Sequence, residues 1–391
     1  MPSINGAILI WARETLALTL EDAAKKLNFK DGRNVSAAEK LAAFEDGTKE
    51  PSRGLLSRMS VVYRRPILTF YLDRPPAVGD RGEDFRSLPD REVLRDNAYV
   101  DVIIRDIKSR QSVVRETLLG EEEGRRLDFV GRCTIQNGKA KVVRTIRNVL
   151  AVDVADCRRQ RDPTAMFRLL RRKAEEAGIY VLLKGNLGSH HSTVSVSSFR
   201  GFVLSDDIAP FIVINDNDAV TARSFTLIHE VAHLVLGRTG VSGDSTEMPI
   251  ERFCNDVASE FFLPASEFAD FRVSDTDVAT LKTEVSKYAA KLHLSGSHIA
   301  YRLYRRNDIG KRLWLELKES YRNEWYTQRR LQKKQRRESD KGPNPNVVQR
   351  FKLGALVDLV QRLHNSRVLT TSKAGMLLDR KPLKVHKLFH A

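Results

Sequence analysis

The stretch Phe225–Gly237, FTLIHEVAHLVLG, sets two histidines and a glutamate inside a run of Leu, Ile and Val. Two residues four apart on an α-helix lie one turn above the other on the same face, so His229 and His233 can aim their imidazoles at one atom. Glu230 stands one step round from His229, within reach of a water held there without being a ligand itself, which is the arrangement a zinc hydrolase needs. The flanking Leu227, Ile228, Val231, Leu234 and Leu236 predict a buried helix, and buried imidazoles need a partner. A metal ion would supply it; hydrogen bonds to backbone are the alternative.

Zinc takes a third protein ligand and leaves a fourth position to water. The segment ERFCNDVASEFFLP opens with Glu251, eighteen residues beyond His233. On a helix Glu251, Asn255 and Val257 or Ala258 share a side, so Glu251 can meet the two histidines while Phe253, Val257, Phe261 and Phe262 pack. Asp256 and Glu260 are the alternative ligands. The metzincin pattern is excluded, because Leu236 and Thr239 occupy the positions where it needs Gly and His.

The chain has 391 residues, enough for two or three domains, with 41% apolar and 30% charged residues. No apolar run approaches the roughly eighteen residues of a membrane span, so a soluble protein with no membrane partner is expected. The apolar stretch near the start is soon broken by Arg13 and Glu14, which makes a poor signal peptide. Cys133, Cys157 and Cys254 are odd in number and scattered, which argues against a disulfide framework and for the cytoplasm. The net charge is +16, and residues 302–341 carry 14 basic and 6 acidic residues, so half the excess lies in one block. Within it Arg329, Arg330, Lys333, Lys334, Arg336 and Arg337 are candidate contacts to nucleic-acid phosphates; a solvated helix face is the other reading.

The expected fold class is α+β, in five segments. Residues 1–74 read as four short helices, with Thr19 as an N-cap and Gly47 as a stop. Residues 75–159 hold a Pro- and Gly-rich linker and then one long amphipathic helix in NAYVDVIIRDIKSRQSVVRETLLG. Residues 160–320 change period: IYVLLKG, FRGFVLS and PFIVIND are short strand-like runs just before the histidine-bearing helix, an order that zincin peptidases share. Residues 321–346 form a basic linker, with a flexible joint at DKGPNPN, and 347–391 a small helical domain in which LTTSKAGMLLDRKPLKVHKL has the length of a second helix-turn-helix. His386 and His390 are four apart but lack an intervening acid, which favours a surface pair; His190 and His191 are adjacent and read as loop residues near the cleft.

Two resemblances follow. Leu20, Ala23, Ala24, Leu27, Phe44, Glu45, Gly47 and Pro51 resemble the motif of repressor-type (XRE-like) helix-turn-helix domains, with the departure that FKDGRN is inserted where the turn is usually tight. RSFTLIHEVAHLVLG and ERFCNDVASEFFLP, with PFIVIND upstream, resemble the ImmA/IrrE family of metallopeptidases over about 160 to 305, and the DFR at 84–86 matches its longer members. That resemblance implies a Zn2+ cofactor, His229, His233 and Glu251 as its ligands, Glu230 as general base, and cleavage of a repressor-type or antitoxin-like regulatory protein. Cys254 stands where the family usually has Ala. PFIVIND is expected to offer an edge strand to an extended peptide. The rival expectation is a DNA-binding transcriptional regulator with a structural or vestigial metal site, which the intact Glu230 opposes.

Overall fold

The computed structural model describes residues 4–76, 83–84, 91–188, 192–242, 249–273, 277–338 and 342–391. His190, His191, Phe85 and Arg86 lie outside them, as do the side chains of Lys333, Lys334, Arg336 and Arg337. The chain divides into two units, one made of Met1–Arg81, Leu88–Asp106 and Asn186–Val194 and the other of the remaining segments.

In the first unit, α1 (Gly6–Glu14), α2 (Leu20–Lys26), α3 (Ala37–Glu45) and α4 (Arg53–Val62) precede a 3-10 turn at Ile67–Tyr71. Each helix starts where a short polar side chain takes up an orphan amide: Asn5, Thr19, Ser36 and Ser52. Gly47 follows α3 with φ +81°, the left-handed conformation that stops a helix. Ile8, Leu9, Ala24, Leu41, Met59 and Phe70 form the buried interior. The buried Arg13 guanidinium forks onto Glu45 at 2.9 and 3.0 Å and also donates to the Leu18 carbonyl, which ties α1 to α3. The motif residue Glu45 therefore has an internal structural role. Between Lys26 and Ala37 the chain runs as an open loop, so the inserted residues lengthen the α2–α3 connection.

The long helix expected after the linker is α5 (Arg91–Gly120). In the second unit its later half is fixed by Gln111, which donates to the Leu204 and Ala209 carbonyls, and by Arg110, which donates to Leu377. There follow α6 (Gly138–Leu150), α7 (Val154–Arg158) and α8 (Pro163–Glu176), the last started by Asp162 and Pro163. The sheet contains β1 (Glu83–Asp84), β2 (Tyr180–Leu183), β3 (Gly201–Leu204), β4 (Phe211–Ile214) and β5 (Gly240–Ser242) in the order β1-β5-β3-β4-β2. The three runs read as strands are β2, β3 and β4, and their near-continuous apolar character reflects burial on both faces.

The expectation that PFIVIND offers an edge is corrected. β4 pairs with β3 on one side and β2 on the other, so both of its rows of backbone groups are occupied. Antiparallel pairing of β3 to β4 and β5, and parallel pairing of β2 to β4, put β1 and β2 at the margins.

The helices after the sheet are α9 (Val220–Val235), α10 (Pro249–Phe262), α11 (Ala265–Phe268), α12 (Val278–Lys291), α13 (Gly296–Arg305) and α14 (Lys311–Glu338). Helix α14 runs without interruption across the boundary expected between 320 and 321. The C-terminal residues form α15 (Pro345–Leu353), α16 (Ala355–Asn365), α17 (Thr371–Leu377) and α18 (His386–Phe389), and they pack into the second unit. Arg171 of α8 donates to the carbonyls of Phe351, Lys352 and Val181, and Glu175 accepts from Ala355, so α15 and α16 are anchored beside β2. Among the described residues no helix is long and apolar enough to cross a membrane.

His298 of α13 lies between α9 and α10, edge-on to Phe225 at 5.0 Å and bonded through Nε2 to the Ser259 hydroxyl at 2.8 Å. Burial, helped by Arg302 and Arg158, pushes its pKa down to about 3, so the folded protein keeps this imidazole neutral. The unfolded chain takes up a proton near the ordinary 6.5. Stability from this group is therefore full above about 6.5 and is lost as pH falls towards 3. Between pH 7 and pH 5 the native sequence should lose about 2 kcal/mol more than His298→Leu, read as the change in urea-unfolding free energy. Equal losses in the two proteins would show that His298 is not the titrating group.

Candidate metal centre

Helix α9 is entered through the turn 215–219, which several side chains hold in place. Asn215 donates through Nδ2 to the Phe199 carbonyl at 3.0 Å and through its backbone to Arg200 at 2.8 Å, which fastens the turn to the segment leading into β3. Arg223, one turn into the helix, reaches back to the Asp216 and Asp218 carbonyls at 2.8 and 3.1 Å. Every residue of α9 from Thr226 to Val235 is buried, with β3 and β4 on one side and α6, α8 and α10 packed on others.

On this helix the Nε2 atoms of His229 and His233 are 3.1 Å apart. Glu251, in the first turn of α10, sets its carboxylate oxygens 3.3 Å from His229 Nε2 and 2.8 Å from His233 Nε2. Three donors on a tetrahedral zinc with bonds of roughly 2.0–2.1 Å would be about 3.3 Å apart, close to these separations. Among the described residues this is the group of His, Cys, Asp and Glu side chains able to hold a metal ion. Burial would raise the Glu251 pKa, but His229 and His233 outweigh it and hold the carboxyl at about 2. Burial opposes charging His229 as well, yet Glu251 and then Glu230 raise its pKa. A buried carboxylate facing two imidazoles thus draws positive charge to this point, and a divalent cation fits the demand.

Glu230 is 0% exposed and lies against β3. A Cβ on Gly201 would stand 2.8 Å from Glu230 Oε1 and 2.7 Å from the Thr226 methyl, so only glycine lets the strand lie this close to the helix. Cys254 packs one turn beyond Glu251, where burial first and then Glu251 and Glu230 raise its thiol pKa well above the ordinary value, so it stays a neutral packing residue.

The alternative ligands are elsewhere. Asp256 accepts from Tyr301 at 2.6 Å and pairs with Arg305 at 2.6 Å; Glu260 pairs with Arg302 at 3.1 Å and Lys139 at 3.3 Å. His386 and His390 are exposed and outside the metal-competent group. In the basic block Arg330 is exposed, but the assignment of Arg329 to phosphate is corrected: its guanidinium forks onto the Asn217 carbonyl and Oδ1, both at 2.6 Å. Sequence reading missed this clamp on the turn before α9, because a contact between residues 112 apart leaves no local pattern. It also missed Gly201, whose place at the start of an apolar strand was the available signal.

Gly201→Ala should destabilise the protein by about 1–3 kcal/mol through overpacking. Adding Glu230→Ala should recover part of that loss, since it clears one of the two groups in the way. Thermal unfolding of the two single variants and the double variant checks this; strict additivity would refute the contact.

Residues 174–304, about a third of the chain and including α9 and α10, match the family model Peptidase_M78, described as an IrrE N-terminal-like domain. No curated protein and no solved structure matches the chain. The family match supports the ImmA/IrrE resemblance and a metallopeptidase domain on these residues.

Proposed function

We propose that the chain is a zinc-dependent endopeptidase, held in the cytoplasm, that cleaves a repressor-type or antitoxin-like regulatory protein. The observation that carries this reading is the convergence of His229, His233 and Glu251 with Glu230 beside them on α9, inside the segment that matches the peptidase family. His229 and His233 would hold the ion as neutral imidazoles and Glu251 as a carboxylate, a donor set that suits zinc. When bound, the ion supplies Lewis acidity to a peptide carbonyl and to water. Glu230 takes the proton of the attacking water on its carboxylate and passes it to the leaving amine. The nearly complete burial of all four side chains keeps bulk water away, so charge developing here is weakly screened.

About one zinc per chain is expected, and the double change His229→Ala, His233→Ala should remove it, as read by metal analysis. Glu230→Gln should retain the metal and lose cleavage of any repressor-type protein that the native chain cuts, because an amide cannot accept the proton. Cleavage by the Gln variant at the native rate would reject Glu230 as the base.

A second reading, a DNA-binding regulator whose metal site is structural or vestigial, draws on the +16 charge and on the exposed Arg330 near the end of the basic helix α14. With Arg329 engaged on Asn217, Arg330, Lys333, Lys334, Arg336 and Arg337 remain as candidate contacts. Neutralising these five should reduce the slope of log K against log salt by about 4 to 5, at about 0.9 per lost phosphate contact. An unchanged slope rejects the block as a DNA contact and leaves the repressor-like helices of residues 1–74 as the module to test.

A further inference from the structure

In residues 371–391, helix α17 (Thr371–Leu377) is followed by a connection, 378–381, and then by a second helical element made of a 3-10 turn, Pro382–Lys384, and α18 (His386–Phe389). A connection of about four residues is the length that joins the two helices of a helix-turn-helix. Within it Asp379 takes the left-handed conformation, with φ +53°, that lets the chain reverse. Gly375 lets the two elements touch, since a Cβ there would stand 2.7 Å from the Arg380 carbonyl oxygen and 3.3 Å from the Pro382 nitrogen. Arg350 donates to the Leu388 and Phe389 carbonyls and Gln349 to that of Leu378, so the second element is fastened to α15.

The amides of Lys384, Val385, Leu388 and Ala391 donate to the carbonyls of Lys381, Pro382, Val385 and Leu388, each bond spanning three residues. The element therefore winds at close to three residues per turn, and side chains three apart fall on one line. One such line, Val385 and Leu388, is buried. Another is Lys381, Lys384, Lys387 and His390, all exposed. At roughly 2.0 Å of rise per residue, its members stand about 6 Å apart. Residues 366–391 hold six basic residues, Arg367, Lys373, Arg380, Lys381, Lys384 and Lys387, and one acid, Asp379. That acid is engaged elsewhere, paired with Lys184 at 3.5 Å and Arg110 at 3.8 Å. Among the described residues no carboxylate pairs with Lys381, Lys384 or Lys387, so three charges of one sign stand in line facing solvent. Protein interfaces are depleted in Lys and anchored by Tyr, Trp and Arg, none of which stands on this line, so a phosphate polymer fits it better than an acidic protein.

We propose that residues 371–390 are a helix-turn-helix that docks on the phosphate backbone of double-stranded DNA, with Lys381, Lys384 and Lys387 as its contacts. A duplex carries one negative charge per about 1.7 Å of its axis, so the lysine line meets phosphates along its whole length. The contact is separate from the basic end of α14 and does not depend on the peptidase reading. Its test uses the full chain with Arg330, Lys333, Lys334, Arg336 and Arg337 changed to Gln, so that α14 does not contribute and neither result bears on that block. The probe is a fluorescein-labelled DNA duplex of mixed sequence, with affinity read by anisotropy over a range of salt. Changing Lys381, Lys384 and Lys387 to Gln should reduce the slope of log K against log salt by about 2.7, at about 0.9 per lost contact, with unchanged circular dichroism. Changing the same three to Arg should keep the slope. Gln at Lys287, Lys291 and Lys311, exposed lysines elsewhere in the second unit, should barely move it. An unmoved slope in the Lys381, Lys384, Lys387 variant, an equal fall in the control variant, or no duplex binding by the parent overturns the proposal. Displacement of the duplex by polyglutamate as readily as by unlabelled duplex at equal charge identifies an acidic protein as the ligand and also overturns it.

Discussion

The arrangement of the second unit depends on the burial of one carboxylate against two imidazoles. Glu251, His229 and His233 are together almost wholly removed from water, and a buried charge is tolerated only where opposite charge meets it. Glu251 is held at a pKa of about 2 because the imidazoles outweigh the cost of burial. That demand favours packing of α9 and α10 face to face at this height, and Leu227, Val231, Val257 and Phe261 belong to the apolar core that the two helices share. An apolar helix pair with a polar knot at its centre has few alternative registers, since sliding either helix by a turn would strand the carboxylate.

Around the knot, the surrounding elements serve to hold α9 still. Gly201 lets β3 lie flush on the helix beside Glu230, and the turn 215–219 is gripped by Asn215, Arg223 and, from α14, Arg329. Lys352 of α15 adds an ion pair to Asp216 at 2.5 Å, so the C-terminal helices also reach this turn. The basic helix and the C-terminal segment are thereby mechanically linked to the helix that carries the histidines.

Charge is used in two ways across the chain. Many arginines are spent on backbone carbonyls: Arg13 on Leu18, Arg158 on Phe262, Arg171 on three carbonyls, and Arg306 on Phe268 and Phe271. The planar guanidinium suits this, because it satisfies several helix ends at once while staying charged. The net charge of +16 therefore overstates the cation available to a partner, and Arg329 is the instance that mattered to the functional reading.

Local physics was enough to determine the helix and strand runs, the capped start at Thr19 and the stop at Gly47, and the spacing of His229 and His233 on one face of α9, because each depends on residues within one or two turns of one another. That Glu251 can face the two histidines was also legible from helical periodicity, while the sequence left Asp256 and Glu260 open; the structure places those two in ion pairs with arginine and lysine instead. Only the tertiary structure decided that β4 is internal and that α14 continues past residue 320. It alone showed that Arg329 clamps Asn217, and that Gly201 is required opposite Glu230. These are contacts between residues distant along the chain, and no local pattern encodes them: a strand's apolar run is the same at the centre or the margin of a buried sheet, and an arginine in a basic run reads the same whether it faces solvent or a carbonyl.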